Sequence, residues 1–257
     1  MKKESYYDRK KKFIREIADL GIRKEIIKHF SDTEISVFFD SLFEDRFYSD
    51  QLIPIGFGEY SDDPLNLAKM INKLNPDKKG RILEVGTGSG FSTAILSMLY
   101  REVYTIDICE DLAITAKNRL YNHGYENIRF YAGDASIDTA EIDELFDGII
   151  IHASCFKRPF TIISLLKEKA PIVFPMGPPT QQQIITLYNE PSPDGEGNFK
   201  THFLDFVNCT PIQGPYGYDT PNIPDVYRDM DDEEDEEDED GKVKSDTNTK
   251  KTDQTKK

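Results

Sequence analysis

The sequence contains only three cysteines and four histidines among its 257 residues. The cysteines lie far apart, so they indicate neither a disulfide framework nor a CxxC metal or redox motif. The histidines lack the spacing typical of metal ligands, and we expect no metal site. The sequence also lacks an apolar run close to the ~20 residues that a membrane span requires. We therefore expect neither a cofactor metal nor a membrane partner.

The N-terminal stretch lacks the features of a secretory signal. Residues 1–12 are mostly polar and basic, and the apolar segment that begins at Phe13 is interrupted by three charged residues before position 20. A secretory signal would carry a continuous apolar run there. The expected location is therefore cytoplasmic.

The chain is strongly acidic, with a formal net charge of −15. From Asp229 onward there are 13 acidic and 6 basic residues, which leaves 34 acidic and 26 basic residues, or a net charge of −8, for residues 1–228. An acidic body does not attract phosphate backbones over long range. We therefore expect no nucleic acid as a partner.

Residues 229–257 form an acidic and then lysine-rich tail. Ten consecutive acidic residues, Asp231 to Asp240, precede a segment rich in Lys, Thr and Asp. Self-repulsion and the lack of apolar residues predict that this tail is disordered. Two interpretations of the tail stay open: a solubilising appendage, or a segment that docks a basic partner.

The remaining chain divides into an N-terminal helical cap, residues 1–50, and a larger domain, residues 51–228. Apolar residues spaced three to four apart over residues 5–30 predict two short amphipathic helices, and a further helical segment is expected at Ser36–Phe43. Gly, Pro and Asp residues predict a loop over residues 54–64.

From Arg81 onward, short apolar runs alternate with helical stretches. Strands are predicted at Arg81–Val85, Glu102–Ile106, Ile128–Ala132, Gly148–His152 and Pro171–Pro175. Helices are predicted at Gly90–Leu99, Glu110–His123, Phe160–Lys167 and, as a short element, near Thr139–Leu145. This alternation predicts an α/β fold with a doubly wound, mostly parallel sheet. Two later apolar segments, Gln183–Tyr188 and His202–Val207, predict an antiparallel C-terminal hairpin at the sheet edge.

A strand that runs directly into glycines is the main functional signal. Residues 81–90 read RILEVGTGSG, and Gly86, Gly88 and Gly90 permit a tight turn at the carboxyl end of the first strand, where a ligand can approach the backbone. Amides at the start of the next helix would favour a carboxylate or phosphate. The GxGxG spacing differs from the dinucleotide fingerprint GxGxxG, so a dinucleotide is disfavoured.

Three acidic residues stand at successive strand ends. Glu84 precedes the glycines, where its carboxylate would repel a pyrophosphate but could accept hydrogen bonds from an ammonium group. Asp107 could hold both ribose hydroxyls, and Asp134, which follows Gly133, could accept from an adenine amino group. Together they favour S-adenosyl-L-methionine as the cofactor. Taken singly, an ion pair for Glu84, a helix N-cap for Asp107 and a turn residue for Asp134 are open alternatives.

The sequence resembles the protein-L-isoaspartate O-methyltransferases, class I methyltransferases with a Rossmann-like fold, from about Tyr7 to Tyr218. The resemblance is carried by LIPIGFG at 52–58, LEVGTGSG at 83–90, VYTID at 103–107, NHGYENIRFYAGDAS at 122–136, DGIIIHASC at 147–155, IVFPMG at 172–177 and FVNCTPIQGPYG at 206–217. It implies methyl transfer from S-adenosyl-L-methionine to the free α-carboxylate of an isoaspartyl residue in a damaged protein or peptide. The ester would then collapse to a succinimide, which repairs the protein.

The resemblance also implies the residues of the site. The cofactor-binding residues would be Glu84, Gly86, Thr87, Gly88, Gly90, Asp107, Ile108, Gly133, Asp134 and Ala135. The substrate-binding residues would be Ile55, Gly58, Glu59 and His152, and the catalytic residues Ser61 and Asp62. His152 stands where the family has a small hydroxyl residue. Either a proton-transfer role or a packed histidine at a strand end fits that position.

The loop that contacts the substrate departs from the family pattern, approximately G-x-G-Q-[ST]-I-S-x-P. Glu59 stands at the Gln, and Asp62 stands at the last Ser. A carboxylate about 4 Å from an anionic substrate costs on the order of 1 to 4 kcal/mol. Three hypotheses stay open: Ser61 supplies the hydroxyl while Asp62 is turned away; Asp62 is a base or anchor for a neutral or cationic nucleophile; or the domain binds the cofactor without turnover.

Overall fold

The computed structural model describes residues 5–43, 46–48, 53–177, 182–191, 197–207 and 209–217. These residues belong to the first of two units of the chain, Met1–Thr220. The second unit, Pro221–Lys257, lies outside the described residues, and so does the predicted tail. The division into a cap of residues 1–50, a domain of residues 51–228 and a tail stays a prediction.

Two amphipathic helices open the described chain. Helix α1 (Tyr6–Asp19) begins at Ser5, whose side-chain oxygen accepts a hydrogen bond from the backbone N–H three residues later, as a helix N-cap does. Helix α2 (Lys24–Asp32) follows a break at Gly21, where φ is +74°. Both helices bury their apolar faces, which confirms the two helices predicted over residues 5–30.

The helix predicted at Ser36–Phe43 does not form. A single 3₁₀ turn, Ile35–Val37, is all that this segment contributes. The carboxylate of Asp40 accepts a hydrogen bond from the backbone N–H of Leu42 at 2.9 Å. Such a local side-chain bond offers the backbone a turn in place of a helix, which explains the incorrect prediction.

Three elements in residues 54–73 were not expected: two short strands and a helix. Strands β1 (Pro54–Gly56) and β2 (Glu59–Tyr60) form a small antiparallel hairpin within the predicted loop. Helix α3 (Pro64–Lys73) follows, with Asp63 as its N-cap and proline at its first position. Asp followed by Pro is a helix-start signal that was readable in the sequence.

A seven-stranded sheet forms the centre of the fold. Its strands are β3 (Arg81–Val85), β4 (Glu102–Asp107), β5 (Ile128–Ala132), β6 (Gly148–Ile151), β7 (Pro171–Met176), β8 (Gln182–Pro191) and β9 (Gly197–Val207). Their spatial order is β5-β4-β3-β6-β7-β8-β9, with β3 to β7 parallel. The first five match the predicted strands to within one residue. Strands β8 and β9 run antiparallel and confirm the predicted C-terminal hairpin.

The helices that connect the parallel strands are α4 (Phe91–Leu99), α5 (Glu110–Asn122) and α6 (Phe160–Ile163). The first two confirm their predictions, but the helix predicted at Phe160–Lys167 is too long. Its last residues pair with Phe146 instead, through backbone hydrogen bonds of 2.8 and 2.9 Å. Near Thr139–Leu145 only a 3₁₀ turn, Asp138–Glu141, forms. No helix in the described part of the chain is long and apolar enough to cross a membrane.

An aromatic cluster joins the cap to the start of α4. The ring of Phe91 lies with its centroid 4.8 to 6.0 Å from the rings of Phe30, Phe38, Phe39 and Phe47. All five side chains are buried. Because Phe91 directly follows the last glycine of the RILEVGTGSG segment, packing of the cap fixes where this helix begins.

We expect the substitution Phe91→Ala to lower the free energy of unfolding by about 3–5 kcal/mol, because it empties the centre of the cluster. Tyr121→Ala is the matched control, since Tyr121 is 74 % exposed on α5 and its loss should cost no more than about 0.5 kcal/mol. Urea unfolding followed by circular dichroism measures both. A cost below about 1 kcal/mol for Phe91→Ala would show that the cap and α4 are not held together here.

Candidate active site

A cavity of about 690 Å³ opens at the carboxyl ends of the parallel strands. In open parallel sheets, ligands bind at this edge, next to the point where the strand order reverses. The predicted site residues that line the cavity are Ile55, Glu59, Ser61, Asp62, Gly86, Thr87, Gly88, Asp107, Ile108, Gly133, Asp134, Ala135 and His152. Three others, Gly58, Glu84 and Gly90, are not part of the cavity wall.

The glycine-rich segment between β3 and α4 forms one wall of the cavity. Gly86, Gly88 and Gly90 have φ values of +96°, +52° and +85°, which favour glycine over residues with a side chain. A Cβ atom on Gly88 would lie 3.1 Å from Ile55 Cδ1, so the segment also approaches the β1–β2 hairpin closely. The backbone is thus exposed to a ligand at the start of α4.

Asp107 stands at the end of β4 and holds this segment in place. One carboxylate oxygen accepts from the N–H of Gly88 at 2.8 Å, and the other accepts from the N–H of Cys109 at 2.9 Å. Burial raises the pKa of Asp107, although these two amides oppose the shift. Ile108, which is 47 % exposed, lines the cavity beside it. The carboxylate still has lone pairs on the cavity side for hydroxyl donors.

Asp134 lies in a local turn at the end of β5. Its Oδ1 atom accepts from the N–H and the hydroxyl of Ser136, at 2.8 and 2.6 Å. Gly133 has a φ of +148°, and a Cβ on it would lie 3.3 Å from the Cβ of Asp138, so this position favours glycine. Asp134 therefore has the turn role that the sequence left open as an alternative, and its side chain also lines the cavity.

Glu84 has the ion-pair role that the sequence left open as an alternative, with His152 as its partner. Its side chain is completely buried, and Oε2 accepts hydrogen bonds from the hydroxyls of Thr93 and Thr105 at 2.6 and 2.7 Å. Its Oε1 lies 3.2 Å from Nε2 of His152. The carboxylate is occupied behind the cavity wall, so the geometry gives no direct contact with a ligand's ammonium group. The sequence analysis did not assign the two threonines, although Thr105 lies in the VYTID segment, because no local pattern shows that their hydroxyls meet Glu84.

The β1–β2 hairpin brings the predicted acceptor residues to the opposite side of the cavity. Ser61 is half-buried, and its backbone N–H donates to the carbonyl of Ile53 at 2.8 Å. Glu59 accepts from the hydroxyl of Thr210 at 3.2 Å. Gly58 shapes the hairpin turn with a φ of +85° and does not reach the cavity.

Asp62 and His152, which are 90 residues apart in the sequence, form an ion pair. Nδ1 of His152 contacts the Asp62 carboxylate, and Nε2 faces Glu84 and the hydroxyl of Ser92, each at 3.2 Å. The side chains of His152 and Asp62 are only 11 % and 26 % exposed. Burial alone would lower the pKa of His152, but the two carboxylates outweigh burial and raise the pKa to about 10. The two carboxylates therefore favour the cationic form of His152.

The segment after β9 contributes residues that sequence reasoning did not assign. Cys209, Thr210, Pro211, Ile212 and Gln213 line the cavity beside the acceptor residues. Burial, together with the nearby Asp62 carboxylate, raises the pKa of the Cys209 thiol. Two exposed aromatic residues of the hairpin, Phe57 and Tyr60, line the cavity as well.

The fold and the glycine-rich cavity define a class I methyltransferase. The family model of protein-L-isoaspartate(D-aspartate) O-methyltransferase matches residues 8–210. The chain belongs to this family.

Curated relatives that are named protein-L-isoaspartate O-methyltransferase support the assignment to this family. The protein from Dictyoglomus turgidum is 32 % identical over 182 residues, which cover 71 % of this chain and 80 % of the relative. The protein from Petrotoga mobilis is 36 % identical over 173 residues, which cover 66 % of this chain and 78 % of the relative.

Two solved structures share the fold. A protein-L-isoaspartate O-methyltransferase superimposes with a TM-score of 0.68 at 20 % identity, over 81 % of this chain and 67 % of the other. A Plasmodium falciparum protein described as a member of the same family was solved with S-adenosyl-L-homocysteine. It superimposes with a TM-score of 0.64 at 16 % identity, over 79 % and 97 % of the two chains.

We expect Asp107→Ala to weaken binding of S-adenosyl-L-homocysteine by about 10- to 150-fold, the usual value of hydrogen bonds to a charged group. The substitution removes an acceptor at the cavity and also frees the amide of Gly88. Asp111→Asn, at an exposed position of α5, is the control and should leave affinity unchanged. Isothermal titration calorimetry gives both constants. Equal affinities of the two variants would rule out this role for Asp107.

Proposed function

We propose that this chain transfers the methyl group of S-adenosyl-L-methionine to the free α-carboxylate of isoaspartyl residues in damaged proteins. Family membership and the cavity support this reaction. The observation that carries the proposal is the ion pair between Asp62 and His152, because it removes the charge conflict that the altered loop would otherwise create. Ser61, the adjacent residue, keeps its place in the cavity wall.

The residues present fit the cofactor. The glycine-rich segment lines the cavity, and the start of α4 and the Asp107 carboxylate offer groups for a carboxylate and for ribose hydroxyls. Bound S-adenosyl-L-methionine supplies an electrophilic methyl group on a positively charged sulfur.

The acceptor needs no general base. A carboxylate with a solution pKa of about 3.3 to 3.7 is ionised at neutral pH, so its oxygen attacks the methyl carbon directly. Bound S-adenosyl-L-methionine would supply this methyl carbon, and its sulfur would leave with the bonding electron pair as a neutral thioether. What the chain contributes is orientation, which can lower such a barrier by roughly 7–11 kcal/mol.

The acceptor side of the cavity argues against a change of specificity. In the second hypothesis, Asp62 acts as a base for a neutral nucleophile. The Asp62 carboxylate is instead paired with Nδ1 of His152, and this contact occupies the group that would have to take the proton. Ser61 instead offers a hydroxyl donor in the cavity wall that suits an anionic acceptor.

Two finer expectations stay predictions. The first is cytoplasmic location, and the second is the role of residues 229–257, which is either that of a solubilising appendage or that of a segment that docks a basic partner. The substrate of the proposed reaction is itself a protein, so this segment adds a place where a basic region of that substrate could bind by charge.

Incubation with methyl-labelled S-adenosyl-L-methionine tests the function. We expect base-labile label on an isoaspartyl peptide and none on its aspartyl counterpart. Tight binding of S-adenosyl-L-homocysteine without transfer to any acceptor would instead identify a binding module, and transfer that is stable to base would indicate another acceptor class.

Ser61→Ala is expected to lower kcat/KM for the isoaspartyl peptide by about 10- to 150-fold, because it deletes a hydrogen bond to a charged group. Ser164→Ala, at an exposed site on the turn after α6, is the matched control. Activity of Ser61→Ala equal to that of the control would show that Ser61 does not contact the acceptor.

A further inference from the structure

His152 joins three parts of the site. Nδ1 contacts Asp62 on the loop that follows the β1–β2 hairpin, and Nε2 faces Glu84 on β3 and Ser92 on α4. The His152 side chain also packs on the glycine-rich segment, since a Cβ on Gly86 would lie 3.3 Å from its Cβ. One side chain therefore connects the acceptor loop to the strand and helix that form the cofactor side.

The contacts of His152 favour a proton on both ring nitrogens, because each nitrogen faces a carboxylate oxygen. A neutral imidazole has one N–H donor and one lone pair, so one of its nitrogens would face a carboxylate without a proton between them. An imidazolium has two donors and meets both carboxylates favourably. The three groups then carry a net charge of −1, whereas Asp62 and Glu84 without His152 would carry −2.

We propose that His152 is a positioning residue that determines specificity: it fixes the Asp62 carboxylate on the acceptor loop and balances its charge, so that an anionic acceptor can bind beside Ser61. The proposal deepens the proposed function and rests on it. Asp62 and His152 are the positions at which the loop and the strand end depart from the hydroxyl residues expected from the family resemblance. In space the two departures form a single charge-balanced pair.

The variants His152→Gln, Asp62→Asn and their combination separate this role from a merely structural one. His152→Gln leaves the Asp62 carboxylate unpaired near the acceptor, and we expect KM for the isoaspartyl peptide to rise about 10- to 100-fold. The double variant removes the uncompensated charge and should recover at least tenfold of this loss. His123→Gln, at an exposed position, is the control and should change neither value.

Affinity for S-adenosyl-L-homocysteine is measured in parallel and should stay within about twofold of wild type for every variant, because the proposed effect acts on the acceptor. A double variant no better than His152→Gln would overturn the proposal. So would an equal loss of affinity for S-adenosyl-L-homocysteine and for peptide. If wild type itself fails to methylate the isoaspartyl peptide, the proposed function fails; if wild type is active and His152→Gln is equally active, only the role of His152 fails.

A second measurement does not need any variant to fold. The groups that face the His152 ring are the carboxylates of Asp62 and Glu84 and the hydroxyl of Ser92. The Cys209 thiol lies next to Asp62. Because the carboxylates favour the protonated ring, His152 should stay an imidazolium through pH 9 in a carbon-13 NMR titration.

His29 provides the internal contrast in that titration. Burial and two nearby lysines lower its pKa, so it should lose its proton first. The stabilisation that the His152 pair gives to the folded state is complete below the ordinary histidine pKa of about 6.5 and is lost as the pH rises through about 10. Deprotonation of His152 near pH 6.5 would overturn the charge-balance role.

Discussion

A buried carboxylate at the end of the first parallel strand is the constraint on which the site depends. Glu84 has no contact with solvent, and an ionised carboxylate in such a place costs several kcal/mol unless donors surround it. Two threonine hydroxyls and the imidazolium of His152 supply those donors. Because the threonines lie on α4 and β4, satisfying Glu84 brings both elements into register with β3 beside the glycine-rich segment.

The need of buried polar groups for partners also links the cofactor side of the cavity to the acceptor side. His152 can serve Glu84 as a cation only if its other nitrogen also meets an acceptor, and Asp62 is that acceptor. The acceptor loop is thus tied electrostatically to the first strand. Asp107 makes a similar tie on the cofactor side, because its carboxylate fixes the amide of Gly88. Carboxylates here act mainly by ordering backbone and side chains around the cavity.

The sequence predicted most of the fold because the signals involved are local. Five strand ends were placed to within one residue, since short apolar runs and glycine turns mark βαβ units along the chain. The burial of Glu84 could not be predicted, because it depends on neighbours from other elements: Thr93 and Thr105 donate to its carboxylate from α4 and β4. Helix α3 was not predicted, even though Asp63 followed by proline is a typical helix-start signal. The short hairpin before it has no long apolar pattern to detect.

A single sequence does not show which residues that are far apart along the chain form a pair in the folded protein. Along the chain, an aspartate in place of a serine looks like a loss of function, and a histidine in a strand end looks like packing. Each interpretation treats one position alone. Compared with the hydroxyl residues expected from the family, Asp62 adds one negative charge and His152 adds one positive charge. Because the two form an ion pair, the net charge near the acceptor is unchanged, whereas either residue alone would change it by one unit. The altered loop therefore does not require a different acceptor, because the partner that corrects its charge lies at the end of β6.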